Sequence, residues 1–344
     1  MQNINFPVLK QLAGQIDIEN NAGLTNLALP QVLYAQSILL LGNALLASVS
    51  FHDLKKVNAF FITAPVLTYA DIQSLTTGIG FTFVVNQLPS ISFPALQTIQ
   101  DLTLTGSQLS TVSLPSLETG RIQLTGGSLN AVNFNLLQSS TNIKITATSG
   151  SLSSINFPAL QSVLSATTDA ITISGIGTLS FPVLKKVDDL AVSQLSSISL
   201  PLLDTVKNKL SISNAPLMFS LTFPALKKTG ILSISGCGIT SVSFPSLITI
   251  YDIQVSSYVY IGLNPNLTSI SWPNFVAGTT KYSTLSNNKL PTSEVNAILA
   301  KYRATPPGIG SDLFLMQTPA APPTGQGITD KNYLISQGTN VVTD

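Results

Sequence analysis

Residues that usually carry protein chemistry are scarce in this sequence. Cysteine, histidine and tryptophan each occur once, and only 9 % of the residues are charged, against ~25 % in ordinary soluble domains. The single cysteine, Cys237, excludes an intrachain disulfide. A formal net charge of +1 gives no electrostatic footprint for nucleic acid or an anionic membrane, and no apolar run reaches the ~18 residues of a membrane span. We therefore expect no nucleic-acid partner and no membrane span.

What the sequence has instead is one motif, repeated roughly every 22 residues, a period typical of solenoids. The motif reads apolar, small, Phe, Pro, any residue, Leu, as in the segment 91–96. Degenerate copies contain Phe51, Phe134 and Trp272, and full copies end at Leu9, Leu96, Leu117, Leu160, Leu184, Leu203, Leu226 and Leu247. Because proline cannot donate to a β-ladder, the motif predicts a turn on one side of each coil.

A second motif lies between these copies and alternates apolar with polar residues, as in the segment 102–109. Alternation with period two indicates a strand with one buried face. A short strand cannot bury that face alone, so the copies are expected to stack in parallel. The fold class that follows is mainly β, a parallel β-solenoid of about 22-residue coils. The predicted inward residues of one coil are Leu102, Leu104, Leu109, Val112, Leu114 and Leu117.

The pattern changes after Leu290, which predicts a repeat solenoid over residues 1–290 and a small α/β C-terminal cap over residues 291–344. In the cap, helical spacing predicts a helix over 292–303. A Pro/Gly-rich segment follows, and then a short helix near 329–337 and a final strand.

Two segments, 264–270 and 286–290, resemble the strand-to-asparagine turn of leucine-rich repeats. The Phe-Pro coil is similar to the BspA-like and receptor-L-domain-like repeats of microbial surface proteins, and the C-terminal tail resembles the ends of repeat proteins of phages and bacteria. The resemblance implies a solenoid of leucine-rich-repeat type that presents a binding surface. Most coils carry Gly or Ser at the turn position, which argues against an asparagine ladder along the whole spine.

The few candidate catalytic groups lack the neighbours that catalysis requires. His52 has no second histidine for a zinc site or a triad, and Cys237 is distant in sequence from that one possible base. Asp101, Asp189 and Asp252 recur just before strands, where other coils have Gly, Asn or Lys, which indicates turn chemistry. We expect no enzymatic activity, no cofactor and no metal site.

The outward residues of the strands predict a hydroxyl-rich face. High β-propensity alone accounts for exposed threonine and serine, and the alternative is an extended contact for a glycan or a cell surface. Late aromatic residues add faces on which sugars can stack. The candidate ligand face comprises Thr103, Thr105, Thr125, Thr146, Thr172, Tyr258, Tyr260 and Trp272.

In the early coils the same outward positions are apolar, namely Leu39, Leu41, Phe61 and Val84. Exposed apolar patches usually mark a partner interface. We expect self-association through these N-terminal coils or attachment to other structural proteins of the same particle. A local loop that covers the patch is the alternative.

These features together favour a structural and recognition protein of a virion surface or tail fibre, which attaches to a host-surface glycan or protein. The first alternative is a bacterial cell-surface adhesin. The second is a β-helix carbohydrate-active enzyme with a pair of carboxylates on a strand face. The expected location is the virion surface or the extracellular space, although the first residues lack the basic and apolar regions of a signal peptide.

Overall fold

The computed structural model describes residues 2–12, 14–127, 129–152, 154–165, 170–251 and 257–344. The chain forms two compact units, one of Met1–Ala166 with Ile173–Phe181 and one of Thr167–Thr172 with Pro182–Asp344. The chain is mainly β and folds as a parallel β-solenoid with coils of about 21 residues, which confirms the predicted fold class. The predicted boundary between residues 290 and 291 falls inside the second unit.

The longer strands of the first part of the chain all belong to one sheet, together with a few strands of two or three residues, and the remaining short strands form separate sheets. Up to residue 181 the strands are β1 (Asn3–Asn5), β2 (Gln15–Asp17), β3 (Asn26–Ala28), β4 (Tyr34–Leu40), β5 (Ser48–Ser50), β6 (Lys56–Thr63), β7 (Tyr69–Asp71), β8 (Thr77–Val84), β9 (Ser90–Ser92), β10 (Thr98–Gly106), β11 (Thr111–Ser113), β12 (Thr119–Gly126), β13 (Ala131–Asn133), β14 (Ser139–Ser140), β15 (Ile143–Ser151), β16 (Ile155–Asn156), β17 (Ser162–Val163), β18 (Ile171–Ile176) and β19 (Thr178–Ser180).

Parallel ladders join each coil to the next and place equivalent residues side by side. Phe60 pairs with Phe81 and Phe81 with Leu102, so each of these coils takes 21 residues. Alternation turns every second side chain inward, and the predicted inward residues are all at most 1 % exposed, namely Leu102, Leu104, Leu109, Val112, Leu114 and Leu117. One apolar layer per coil therefore builds a continuous core within the unit.

In most coils with the Phe-Pro motif, its phenylalanine fills the core where the chain leaves a short strand. Phe134 stacks on Phe157 with 5.2 Å between ring centroids, and Phe157 stacks on Phe181 with 4.9 Å. Each such buried side chain contributes about 1.5–3 kcal/mol. Pro158 begins the turn that follows, which the Leu160 N–H closes on the Phe157 carbonyl. Proline fits this corner because its fixed φ suits the first turn position and no N–H is needed there.

The second unit continues the same alternation and ends in two helices. Its strands are β20 (Lys186–Ser193), β21 (Ser197–Ser199), β22 (Thr205–Ser213), β23 (Ser220–Thr222), β24 (Lys228–Ser235), β25 (Ser241–Ser243), β26 (Thr249–Ile250), β27 (Tyr258–Gly262), β28 (Ser269–Ser271), β29 (Tyr282–Thr284), β30 (Asp312–Phe314) and β31 (Asn340–Val342). The helices are a 3-10 turn (Ala277–Thr279), α1 (Thr292–Ala304) and α2 (Gln326–Ser336).

The last coils are longer because helices replace the short return strands. Ser283 pairs with Leu313, a step of 30 residues, and Leu313 pairs with Val341, a step of 28. The predicted cap thus carries two further strands of the ladder. Helix α1 buries Val295, Ile298, Leu299 and Tyr302. The Tyr302 hydroxyl donates to Ser283 Oγ at 2.8 Å, and burial raises the pKa of Tyr302 to about 12.

Buried asparagines bind the backbone of neighbouring coils at two places. Asn43 Nδ2 donates to the Ile18 carbonyl at 2.7 Å. Asn264 Nδ2 donates to Asn288 Oδ1 at 3.2 Å, and Asn288 Nδ2 donates to the Ile261 carbonyl at 2.7 Å. All three asparagines are fully buried. A short asparagine ladder therefore exists in the second unit, although most coils lack the residue.

Candidate functional site

The exposed face of the longer strands in the first unit carries in-register columns of polar side chains. Thr105 pairs with Thr125 and Thr125 with Thr146. The neighbouring column runs from Thr103 through Gln123 to Lys144 on the same strands. Thr103, Thr105, Thr125 and Thr146 are half-buried, so part of each residue is open to solvent. The structure thus brings four residues of the predicted ligand face together.

Further hydroxyl groups line β18 and the strands that follow. Thr172 lies half-buried in β18. In the second unit Ser211 pairs with Ser233, and Ser213 pairs with Ser235. Asp252, together with Gln254 and Ser256 on the next predicted strand, lies outside the described residues. The second unit therefore carries its own serine columns.

The predicted partner interface occupies the earlier positions of the same columns. Leu39 pairs with Phe61, and Val84 pairs with Thr105. Leu39, Leu41 and Phe61 are half-buried and Val84 is 36 % exposed. The face therefore changes from apolar to hydroxyl-bearing along one sheet of the first unit.

The first coil exposes two apolar side chains. Phe6 is 55 % and Val8 78 % exposed, whereas Phe51 and Phe93, the equivalents of Phe6, are fully buried. β1 pairs with β3 on one side, and within the described ranges no strand pairs with its other edge. The repeat motif was the signal for a core position, but a core position needs a coil on both sides.

An aromatic cluster lies on the exposed sheet face of the second unit and comprises Tyr258, Tyr260 and Tyr282. The rings of Tyr258 and Tyr260 stack with 6.1 Å between centroids. Tyr282 pairs with Tyr258 in the ladder, and the Lys281 ammonium lies 5.8 Å from the Tyr282 ring centroid. Burial, and then the neighbouring Tyr260, raise the pKa of Tyr258. The prediction included Tyr258 and Tyr260 and missed Tyr282, which the 24-residue step from Tyr258 to Tyr282 would have indicated.

Trp272 does not belong to this cluster, which corrects the predicted ligand face. The indole is only 5 % exposed and stacks on Phe275 with 4.8 Å between centroids. The reason is its place in a degenerate Phe-Pro motif, where the aromatic side chain points into the core. A buried indole has no free face for a sugar.

The candidate catalytic groups are dispersed. His52 Nδ1 lies 3.0 Å from Asp71 Oδ2 on the surface, so it does have one acidic neighbour. Cys237 is 1 % exposed, and burial raises the pKa of its thiol. Asp101 pairs with Arg121 in the ladder rather than with another carboxylate. No three His, Cys, Asp or Glu side chains among the described residues lie close enough to hold a metal ion.

Comparison with known proteins adds no relative. The chain matches no protein-family model, no curated protein and no solved structure. In the part of the chain that the structure describes, no helix has the length and apolar character to cross a membrane. The function of the chain must therefore be inferred from the geometry of its exposed faces.

Proposed function

We propose that this chain is a structural and recognition protein of a virion surface or tail fibre, which attaches to a host-surface glycan or protein through the exposed faces of its solenoid. The observation that carries the proposal is the pair of exposed sheet faces, one in each unit: the first unit displays columns of hydroxyl side chains, and the second unit displays the aromatic cluster. Hydroxyl and aromatic side chains provide hydrogen bonds and stacking surfaces without strong dependence on salt.

The proposal includes a solenoid of leucine-rich-repeat type, similar to BspA-like and receptor-L-domain-like repeats. Two features support it. Asn264 and Asn288 bind the backbone of adjacent coils from buried turn positions. Helices α1 and α2 occupy the return segments of the last coils, between β29, β30 and β31.

We assign a second contact to the N-terminal coils. Through them the chain attaches to other structural proteins of the particle or to a second copy of itself. Leu39, Leu41, Phe61 and Val84 provide an apolar area on the sheet face. Phe6 and Val8 add exposed apolar surface at the first coil. Burial of such side chains against a partner stabilises the complex by about 25 cal/mol for each Å² of apolar area removed from water.

Mass spectrometry of purified particles from the source organism tests the location. Abundant peptides of this chain in the particles are expected. Recovery from the bacterial envelope fraction, with none in particles, would instead support the cell-surface adhesin.

Attachment itself is tested with the fluorescently labelled protein on host cells. We expect saturable attachment, and about a tenfold loss of affinity in the double variant Tyr258→Ser and Tyr260→Ser, because each of the two lost aromatic contacts contributes about 0.5–1.5 kcal/mol. The control is Tyr69→Ser, which removes a tyrosine that is 57 % exposed in the first unit. Equal attachment by all three proteins would exclude the aromatic cluster as the contact.

A further inference from the structure

Strand β12 is one residue shorter than its neighbours over a short stretch. Thr98 pairs with Thr119 and Leu102 pairs with Ile122, so four steps along β10 match three along β12. Register shifts of this kind are β-bulges, which bend the longer strand and redirect its side chains. β10 therefore carries a β-bulge where it pairs with β12.

The same mismatch recurs on the other side of β12. Thr119 pairs with Ser139 and Ile122 pairs with Ile143, so three steps along β12 again match four in the following coil. A cavity of about 450 Å³ opens at this place, and three consecutive residues from each of three coils line it. We call it the Gly120 notch, which consists of residues 99–101, 119–121 and 139–141.

The floor of the notch is closely packed and its main chain is satisfied. A Cβ atom on Gly120 would lie 2.6 Å from Ile99 Cγ2 and 2.9 Å from the Ile99 carbonyl oxygen. The Gly120 carbonyl accepts a hydrogen bond from Ser140 Oγ at 2.6 Å, and Ser140 is only 8 % exposed. Glycine is thus required where two backbones approach closely, and the notch has a rigid base.

One wall carries a charge-balanced pair. Arg121 Nη1 donates to Asp101 Oδ1 at 3.4 Å, and both side chains are about half exposed. With its amide oxygen turned toward the guanidinium, Gln123 accepts from Arg121 Nη2 at 3.0 Å and from Nε at 3.3 Å. These contacts hold the guanidinium in one orientation. Asp101 and Arg121 are the only charged residues of the nine, so the notch has no net charge.

The notch is also lined by hydroxyl groups. The side chains of Thr119, Ser139 and Thr141 make no hydrogen bond to any other described residue. They are exposed or half-buried at the mouth of the notch. Each hydroxyl can both donate and accept, and the buried Ile99 adds an apolar floor.

We infer that the Gly120 notch binds one neutral sugar unit of a glycan. Adjacent sugar hydroxyls can donate to the Asp101 carboxylate and accept from the Arg121 guanidinium, and charge-assisted hydrogen bonds of this kind are the stronger ones. A volume of about 450 Å³ lies within the 300–1,000 Å³ typical of small-molecule sites. An anionic ligand fits less well, because Asp101 would repel it and Gln123 already occupies two guanidinium donors. The inference rests on the proposed function in that it names the chemical class that the surface recognises.

Ligand-observed NMR tests the inference directly on the full chain. The probes are methyl α-D-glucoside, methyl α-D-mannoside, methyl β-D-galactoside and N-acetylglucosamine, with sodium N-acetylneuraminate as the anionic probe. We expect saturable transfer to at least one neutral probe. The double variant Asp101→Asn and Arg121→Gln should weaken it at least tenfold, because it replaces both charged groups that hydrogen-bond to the sugar. The matched control, Asp17→Asn with Lys56→Gln, changes two exposed charges of the same unit outside the notch and should bind like the unaltered protein.

Thermal unfolding of each variant accompanies the binding measurement, since only variants that unfold like the unaltered protein are compared. Should Asp101→Asn with Arg121→Gln fail to fold, Thr119→Val is the second variant and should weaken the same probe. Binding of N-acetylneuraminate alone, binding of no probe, or equal binding by the notch and control variants would overturn the inference. Presence in particles without sugar binding at the notch would leave the proposed function intact, whereas sugar binding at the notch by a chain absent from particles would overturn the proposed function alone.

Discussion

Where the chain leaves a sheet, the amide of one buried side chain can form the hydrogen bonds that backbone groups would otherwise lack. Asn264 Oδ1 accepts from the Cys237 N–H at 3.0 Å, and its Nδ2 donates to the Ile234 carbonyl at 3.2 Å. The side chain is fully buried, so these backbone groups have no access to water as an alternative partner. Asn288 repeats the arrangement one coil later. Where a turn carries such an asparagine, its side chain fixes the register between adjacent coils.

Replacement of Asn264 by alanine should therefore be costly. The Asn264→Ala variant leaves the Cys237 N–H and the Ile234 carbonyl buried without this partner, and each such group costs about 1–3 kcal/mol. We expect the free energy of unfolding, measured in urea, to fall by about 3 kcal/mol. The control is Asn266→Ala, an exposed asparagine of the same turn whose one contact, to Gly238, is 3.5 Å long. Similar losses in both variants would show that burial of the amide has no special role.

Helices and strands were predicted best where many residues follow the same period of apolar and polar side chains. Helix α1 begins at Thr292 as its spacing of apolar residues predicts, and it ends at Ala304, one residue later than expected. Helix α2 begins at Gln326, earlier than the predicted start near 329, because the Gly-rich segment before it gives no helical signal. β30 was missed because its three residues, Asp312–Phe314, are too few to display alternation. Tertiary pairing with β29 decides its conformation.

An ion pair joins helices α1 and α2. Arg303 Nη1 donates to Asp330 Oδ1 at 2.6 Å, and Gln326 Nε2 donates to the same oxygen at 2.7 Å. Burial raises the pKa of Asp330, but the hydrogen bonds from Gln326 and Arg303 and the charge of Arg303 outweigh it, so the pKa lies below its usual value. The ionised carboxylate is therefore the form that the fold stabilises.

The Asp330→Asn variant should lose about 2 kcal/mol of stability at pH 7, the cost of weakening hydrogen bonds to a charged group. Because the pKa is lowered on folding, the carboxylate contributes fully above its unfolded value of about 3.9. The contribution disappears as the pH falls through the folded value. The difference in unfolding free energy between the variant and the unaltered protein should thus shrink below about pH 4. A difference that stays constant down to pH 2, or that Asp53→Asn reproduces, would contradict this assignment.

At the scale of the whole molecule, the repeat period was enough to predict parallel strands, coil length and the inward residues. The hydroxyl columns followed from the same alternation, since Thr105, Thr125 and Thr146 occupy equivalent positions. The Gly120 notch could not be predicted in this way. It depends on a difference of one residue among three adjacent coils, which becomes visible only when the strands are aligned. The 20-residue step from Leu102 to Ile122, against 21 from Phe81 to Leu102, was its one trace in the sequence.

A solenoid whose coils contact only their neighbours should tolerate the removal of one whole coil. Deletion of residues 94–114 joins Phe93 to Pro115 and preserves the Phe-Pro junction. Strand β8 then meets β12, which is feasible because Thr77 and Thr119 both pair with Thr98. We expect a folded protein with unchanged circular dichroism per residue and a loss of about 1–3 kcal/mol, since one coil and one interface are removed together. The control deletes only residues 94–104, which shifts the alternation by half a coil and turns polar side chains toward the core. That variant should unfold or aggregate, and equal behaviour of the two deletions would show that the coils do not act as independent layers.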